Sequence, residues 1–217
     1  MDHLYLTDDT GKSAALANLL LLLSIGLSLP TKELAQGLCD GSFFSDYISC
    51  QNELFPTDIL YAADAYFGRD VESVYHEINV EYTRLFLSPK RELVPLYESV
   101  LVHPGEKVSM FINPTVMHCE QVYRKTGFSF EEKNKFPGDH VGIELRYYAC
   151  LLARRTMALD EGNTSDAEAS ATVLSEFAAQ HIARWIAPFA AKVTMHTQVP
   201  FYTALADTLS QLAPHLK

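Results

Sequence analysis

The sequence predicts an all-α protein, and three observations predict it. Apolar residues recur at three- and four-residue steps along much of the chain. Ser129-Phe130-Glu131-Glu132 and Ser165-Asp166-Ala167-Glu168 match the capping box, in which the side chain at each end bonds an orphan N–H of a first helical turn. Strand patterning is missing: Asp40-Gly41 is the only tight-hairpin dipeptide of its kind, and helix-like sequence flanks it.

Taken in order, the first element is the most apolar stretch, Ala14 to Leu29. The segment before it, Met1 to Asp9, is acidic, whereas a secretory leader is basic there. The stretch also falls short of the roughly 20 residues that a membrane span needs, and Asn18, Ser24, Gly26 and Ser28 interrupt it. It reads as a buried first helix of a cytoplasmic protein.

Val71 to Leu87 places Val71, Val74, Tyr75, Ile78, Tyr82, Leu85 and Phe86 on one wide stripe. Ser88 to Lys107 carries Pro89, Pro95 and Pro104 and cannot be one helix. A connection of that length in a compact domain points to function. Asn134 to Gly138, rich in charge, proline and glycine, reads as a hinge. Asp139 to Thr156 is a second long amphipathic helix, with Val141, Leu145, Tyr148 and Leu152 on its stripe, and Asp160 to Ser165 is a polar helix–helix loop. The expected organisation is an N-terminal helical lobe over 1–133, the hinge over 134–138 and a C-terminal helical lobe over 139–217, two lobes that can pack as one domain.

Composition narrows the function. A chain of 217 residues with 48% hydrophobic residues is globular. It should bury about 70% of its unfolded surface, so it needs no disulfide or metal staple. Cys39, Cys50, Cys119 and Cys150 form no CxxC pair and read as buried or half-buried free thiols in a reducing compartment. A net charge of -10 repels nucleic acid and anionic lipid and attracts basic partners.

Three constellations could carry chemistry. Asp139 stands where a helix cap belongs, after Pro137-Gly138, and His140 and Glu144 lie four apart on one helical face. As an enzyme feature, Asp139, His140 and Glu144 would make a metal-dependent hydrolase, although no third ligand is spaced as in HExxH. As a structural feature, they are a cap and packed polar side chains. Tyr82, Leu85 and Phe86 at a helix end, with Leu96 and Tyr97 in a proline-fixed stretch, could line an apolar groove, with Glu81, Glu98 and Glu144 near its rim. The alternative is that they close the core. His181 and Trp185 share a helical face, which is more often packing than ligation. The motifs GxSxG, GxxxxGK[ST] and GxGxxG after a strand are absent.

At these residues the chain resembles the TorD/DmsD/NarJ family of cytoplasmic redox-enzyme maturation chaperones. Tyr82-Thr83-Arg84-Leu85-Phe86 resembles the family's aromatic-xx-Leu-Phe helix end. Pro95-Leu96-Tyr97-Glu98-Ser99-Val100 resembles its Pro-x-aromatic-x-Ser loop, and Pro137-Gly138-Asp139-His140 its Pro-x-Asp-His helix start. Phe177-Ala178-Ala179-Gln180-His181-Ile182-Ala183-Arg184-Trp185 resembles its Phe-xxx-His-xxx-Trp helix, and Phe201-Tyr202-xx-Leu205-Ala206 its last helix. Phe136 departs from the acidic residue many members carry, and Ser88 before Pro89 from a common glycine.

The resemblance implies a TorD-like helical bundle of about ten or more helices with no cofactor, no metal and no catalytic activity of its own. It implies binding to the twin-arginine signal peptide and apo form of a molybdopterin oxidoreductase of the dimethyl sulfoxide or trimethylamine N-oxide reductase type, through Tyr82, Leu85, Phe86, Leu96, Tyr97, Ser99, Asp139 and His140. In that picture Asp139 caps the following helix and His140 faces the groove. GTP and a domain-swapped homodimer, as against a monomer, are expectations that rest on the resemblance alone.

Overall fold

The computed structural model describes residues 6–55, 59–87, 93–103, 105, 112–129 and 136–216. Among these the fold is helical, with one isolated antiparallel bridge between Tyr97 and His140 and no strand. The helices are α1 (Thr10–Gly26), α2 (Lys32–Cys39), α3 (Ser42–Leu54), α4 (Leu60–Tyr66), α5 (Val71–Tyr82), α6 (Glu98–Val102), α7 (Pro114–Thr126), α8 (Val141–Asp160), α9 (Thr164–Phe177), α10 (Ala183–His196) and α11 (Pro200–Leu212). No helix among the described residues is long and apolar enough to cross a membrane.

The most extensive helix pairing is α1 on α8, followed by α8 on α9 and α10 on α11. Leu16, Leu19, Leu20 and Leu23 of α1 are all fully buried. On α8 the expected stripe Val141, Leu145, Tyr148 and Leu152 is fully buried too, and so much of the rest of the helix is covered that it runs through the centre of the bundle. Close approach is set by glycine. A Cβ on Gly142 would come within 3.1 Å of Ser28 Oγ and 3.3 Å of the Ser24 carbonyl, and one on Gly26 would overlap Leu205 at 2.6 Å. The seam is pinned by Ser24 Oγ, which donates to the Gly142 carbonyl at 2.6 Å. The same apolar core runs through both expected lobes.

Several helix starts differ from expectation. α1 begins at Thr10 because the Asp9 carboxylate accepts from Lys12 N, so the cap lies upstream of the apolar run. α9 begins at Thr164, capped by Asn163 rather than by Ser165, with Asn163 Oδ1 accepting from Asp166 N. Positions 130–132 of the Ser129–Glu132 box and the prolines at 89 and 104 lie outside the described residues, as do positions 134 and 135 of the expected hinge. The thiols are free, but Cys150 is exposed, contrary to the expectation that all four are at least half-buried.

Two π-helical turns are the feature that periodicity gives no sign of. One extends α5 over Thr83–Leu87, and the other joins α9 to α10 over Ala178–Ile182. Such turns insert one residue into the helical repeat and concentrate at functional positions. The first carries Leu85 and Phe86, the second His181.

Candidate functional site

Two loop-to-helix junctions 40 residues apart are joined at the heart of the site. Glu98 N donates to the Asp139 carbonyl at 3.0 Å, and Val141 N donates to the Leu96 carbonyl at 2.9 Å. Ser99 N donates to Asp139 Oδ2 at 3.0 Å. The stretch Pro95–Ser99 is thereby fixed along Pro137–Val141. Pro137 also contributes, its carbonyl accepting from His140 N, while Tyr123 Oη donates to the Gly138 carbonyl at 2.8 Å.

This geometry corrects the expected roles of Asp139 and His140. Asp139 does not cap its own helix. Its carboxylate reaches the first-turn N–H of Ser99 and so caps α6 from across the fold. The cap of α8 is His140, whose Nδ1 accepts from Gly142 N at 3.0 Å. His140 does not face an open groove: its ring stacks on Phe136 with centroids 4.8 Å apart and meets Tyr97 edge-on at 5.5 Å. Burial lowers the His140 pKa to about 4, which keeps the imidazole neutral at neutral pH. Burial pushes the Asp139 pKa up, and the bonds from Ser99 pull it only part of the way back. Asp139 Oδ1 and His140 Nε2 have no hydrogen-bond partner among the described residues although both residues are buried.

The expected groove anchors are together, but in the core. Tyr82, Leu85, Phe86, Leu96 and Tyr97 are all buried, as is Ser99. Phe86 packs against Tyr82, Phe189 and Tyr202 with centroids 5.0, 6.4 and 5.8 Å away. Val94 N donates to the Leu85 carbonyl at 3.1 Å, bringing the two motif segments side by side. Chain closure over these side chains therefore fills the space in which an open groove was expected.

The expected rim carboxylates are interior as well. Glu81 is held by Arg84, whose Nε and Nη2 donate at 2.6 and 2.7 Å, and by Gln198 N at 2.6 Å. Burial works against its charge, but these bonds prevail and hold it below the usual carboxylate range. It thus anchors the corner between α10 and α11. Glu98 and Glu144 belong to a polar cluster beneath α6. His181 Nδ1 lies 2.6 Å from Glu98 Oε2 and 3.4 Å from Cys119 Sγ, and its Nε2 lies 2.8 Å from His118 Nδ1. Trp185 Nε1 donates to Glu144 Oε2 at 2.9 Å. Burial pushes the Glu144 pKa well up, the charges of Glu98 and Asp139 add to it, and the bond from Trp185 works against them.

A hydrolase built on Asp139, His140 and Glu144 does not fit. Asp139 Oδ2 and His140 Nδ1 are used as caps, and the metal-type donor group found among the described residues is Glu98, Cys119, Glu144 and His181. Sequence reasoning missed Cys119, His118 and the polar roles of His181 and Trp185. The available signal was the four-residue spacing of His181 and Trp185 set against a Glu144 that shares a face with His140.

Comparison with known proteins places this architecture. The family model of the nitrate reductase delta subunit matches residues 57–191, well over half of the chain and all of the junctions just described. A crystal structure from Archaeoglobus fulgidus, provisionally described as a redox enzyme maturation protein, superposes with a TM-score of 0.58 at 20% identity, over 91% of this chain and 93% of that one. At that identity the likeness concerns the fold. No curated protein sequence matches the chain. The chain belongs to the nitrate reductase delta subunit family, the NarJ/TorD-like family of redox-enzyme maturation chaperones.

Proposed function

We propose that this chaperone recognises the twin-arginine signal peptide and the apo form of a molybdopterin oxidoreductase of the dimethyl sulfoxide or trimethylamine N-oxide reductase type. It assists cofactor insertion and holds back premature export from the cytoplasm, with no turnover of its own. The observation that supports this most is the junction of Pro95–Ser99 with Pro137–Val141 directly over the apolar anchors Tyr82, Leu85, Phe86, Leu96 and Tyr97. Two buried polar atoms at that junction, Asp139 Oδ1 and His140 Nε2, lack partners among the described residues and suit a peptide's donors and acceptors.

The apolar part of the leader would lie as a helix among these anchors. Because they are buried in the free chain, the two junction segments must part first. Anchors are worth about 1.5–3 kcal/mol each, and association costs about 4–15 kcal/mol. Apolar contact by three or four of them therefore barely reaches micromolar affinity, which needs about -8 kcal/mol. Charge-assisted bonds between the leader's arginines and this acidic chain, with net charge -10, supply the remainder. Binding then weakens with salt. Were the chain to pair with itself, exchange about residues 134–138 would carry α8 onto a second copy's α1.

Capture of the chain on immobilised twin-arginine leaders tests the proposal, with Leu85→Ala, Tyr97→Ala and Asp139→Ala beside wild type. Salt-sensitive retention that the variants weaken supports it. Failure to retain any of several leaders rejects it.

A further inference from the structure

Glu98, Cys119, Glu144 and His181 come from four separate parts of the chain: the start of α6, the middle of α7, the first turn of α8 and the π turn before α10. One donor atom from each lies within 4.8 Å of all the others, and all four residues are buried. Burying that many ionisable groups without use is costly, since each must be neutralised or paired. We propose that these four side chains bind a divalent transition metal ion of the zinc class. The inference runs against the expectation of a metal-free protein and goes beyond the chaperone reading.

The outer partners are already in place. A metal-bound histidine ordinarily hands its second ring nitrogen to a neighbour, and bound carboxylates are held by hydrogen bonds on their other oxygen. His181 turns Nδ1 into the cluster while its Nε2 meets His118 Nδ1 at 2.8 Å. With a metal on Nδ1, the ring proton moves to Nε2 and is donated to His118. Trp185 Nε1 fixes Glu144 Oε2 at 2.9 Å, and Oε1 has no hydrogen-bond partner among the described residues. The Arg184 guanidinium stands 3.6 Å from Glu98 Oε1 and offsets negative charge.

Donor chemistry selects the ion. A thiolate and an imidazole favour zinc-like ions over magnesium or calcium, and four protein ligands make a closed, structural site rather than a catalytic one. Ligands at about 2.0–2.3 Å from zinc sit roughly 3.3–3.8 Å apart in a tetrahedron, so the cluster contracts by about an ångström on loading. Zinc takes the thiolate and the ionised carboxylate, so loading releases the protons those groups carry. A pocket of about 580 Å³ lined by His103, His118, His181 and Arg184 borders the cluster at His181. A bound ion would cross-link α6, α7, α8 and the π turn before α10 beneath the Asp139 junction without joining any reaction.

The test is titration of the purified, reduced, chelator-treated full chain with cobalt(II), then with zinc(II), followed by absorption. We expect one equivalent of cobalt, a thiolate-to-cobalt charge-transfer band, and its loss when zinc displaces it. Cys119→Ser abolishes the band, while Cys150→Ser at the exposed thiol leaves it unchanged. Glu144→Gln, which keeps the side chain's shape, weakens uptake at least about tenfold, and His118→Ala weakens it about 10- to 100-fold. Circular dichroism confirms that each variant is folded, and Glu144→Gln carries the test if Cys119→Ser is not. No stoichiometric uptake by folded wild type overturns the proposal, as does a band that persists in Cys119→Ser or an affinity unchanged in Glu144→Gln.

Discussion

The α1–α8 seam and the cluster beneath α6 are both buried, yet they are held by opposite means. The seam is mostly leucine against leucine and tyrosine, with glycine at the crossing and two polar pins, from Ser24 to Gly142 and from Thr156 to Ser13. The cluster gathers carboxyls, imidazoles, a thiol and an indole within hydrogen-bond reach of one another. Dispersion and water exclusion stabilise the first wherever the shapes fit. The second is stable only while every polar atom keeps a partner or a proton, because an unsatisfied buried group costs its full desolvation. A fold that needed only a core would have extended the seam. That this one places its polar cluster under the Pro95–Ser99 and Pro137–Val141 junction ties the cluster to what the junction does.

The comparison is broken most strongly from the apolar side. Leu20→Ala on α1, fully buried, should lower stability by about 2–5 kcal/mol, read by urea denaturation. A loss well under 1 kcal/mol would mean the seam is not the principal support. The polar side is broken by acid. The His140 pKa is lowered by burial to about 4, whereas in the unfolded chain it stays near 6.5. The unfolded state therefore takes up the proton first, and stability falls as pH drops from about 6.5 towards 4. At the lower end the loss is on the order of 3 kcal/mol. His140→Asn keeps an acceptor for the α8 cap but does not titrate over this range. The stability difference between wild type and this variant should therefore shift over that pH interval, and a pH-independent difference would contradict the burial of His140.

Smaller changes sharpen the contrast. Trp185→Phe keeps the aromatic packing but strips Glu144 Oε2 of its donor, an expected cost of about 1–3 kcal/mol in thermal or chemical melts. Asp139→Ala removes the cap of α6 and should cost about 0.5–2 kcal/mol. It should also loosen the joined segments, read as faster amide exchange at Ser99 N. Unchanged exchange there would show that the backbone bonds alone hold the junction.

What was legible in the sequence divides along the same line. The stripe on α8 and the apolar first helix follow from local periodicity, because each buries one face against whatever meets it. The family motifs marked segments that the fold brings together. The roles of the individual side chains were not legible, because they depend on bonds between distant residues: Asp139 to Ser99 spans 40 positions, His181 to Glu98 spans 83, and Ser24 to Gly142 spans 118. Asp139 looked like the cap of α8 because it precedes the helix, but the folded chain brings α6 closer to its carboxylate. The anchors Leu85 and Phe86 looked like a helix end at a groove, but a π turn rotates them into the core, and no spacing rule foretells that turn. His118 and Cys119 point apart on an ideal helix, yet both reach His181 because its ring lies across their turn.

In the proposed function the joined segments over buried anchors form a peptide-binding site that opens. Stopped-flow association with a fluorescent twin-arginine leader tests it most directly. The account predicts saturable binding that weakens as salt rises, with an association rate constant below the about 10⁵–10⁷ M⁻¹s⁻¹ usual for preformed sites, since the junction must part first. It also predicts that Asp139→Ala speeds association but speeds dissociation more, so that affinity falls, while Tyr97→Ala speeds dissociation alone. No binding by any leader, or binding indifferent to both substitutions, would contradict it.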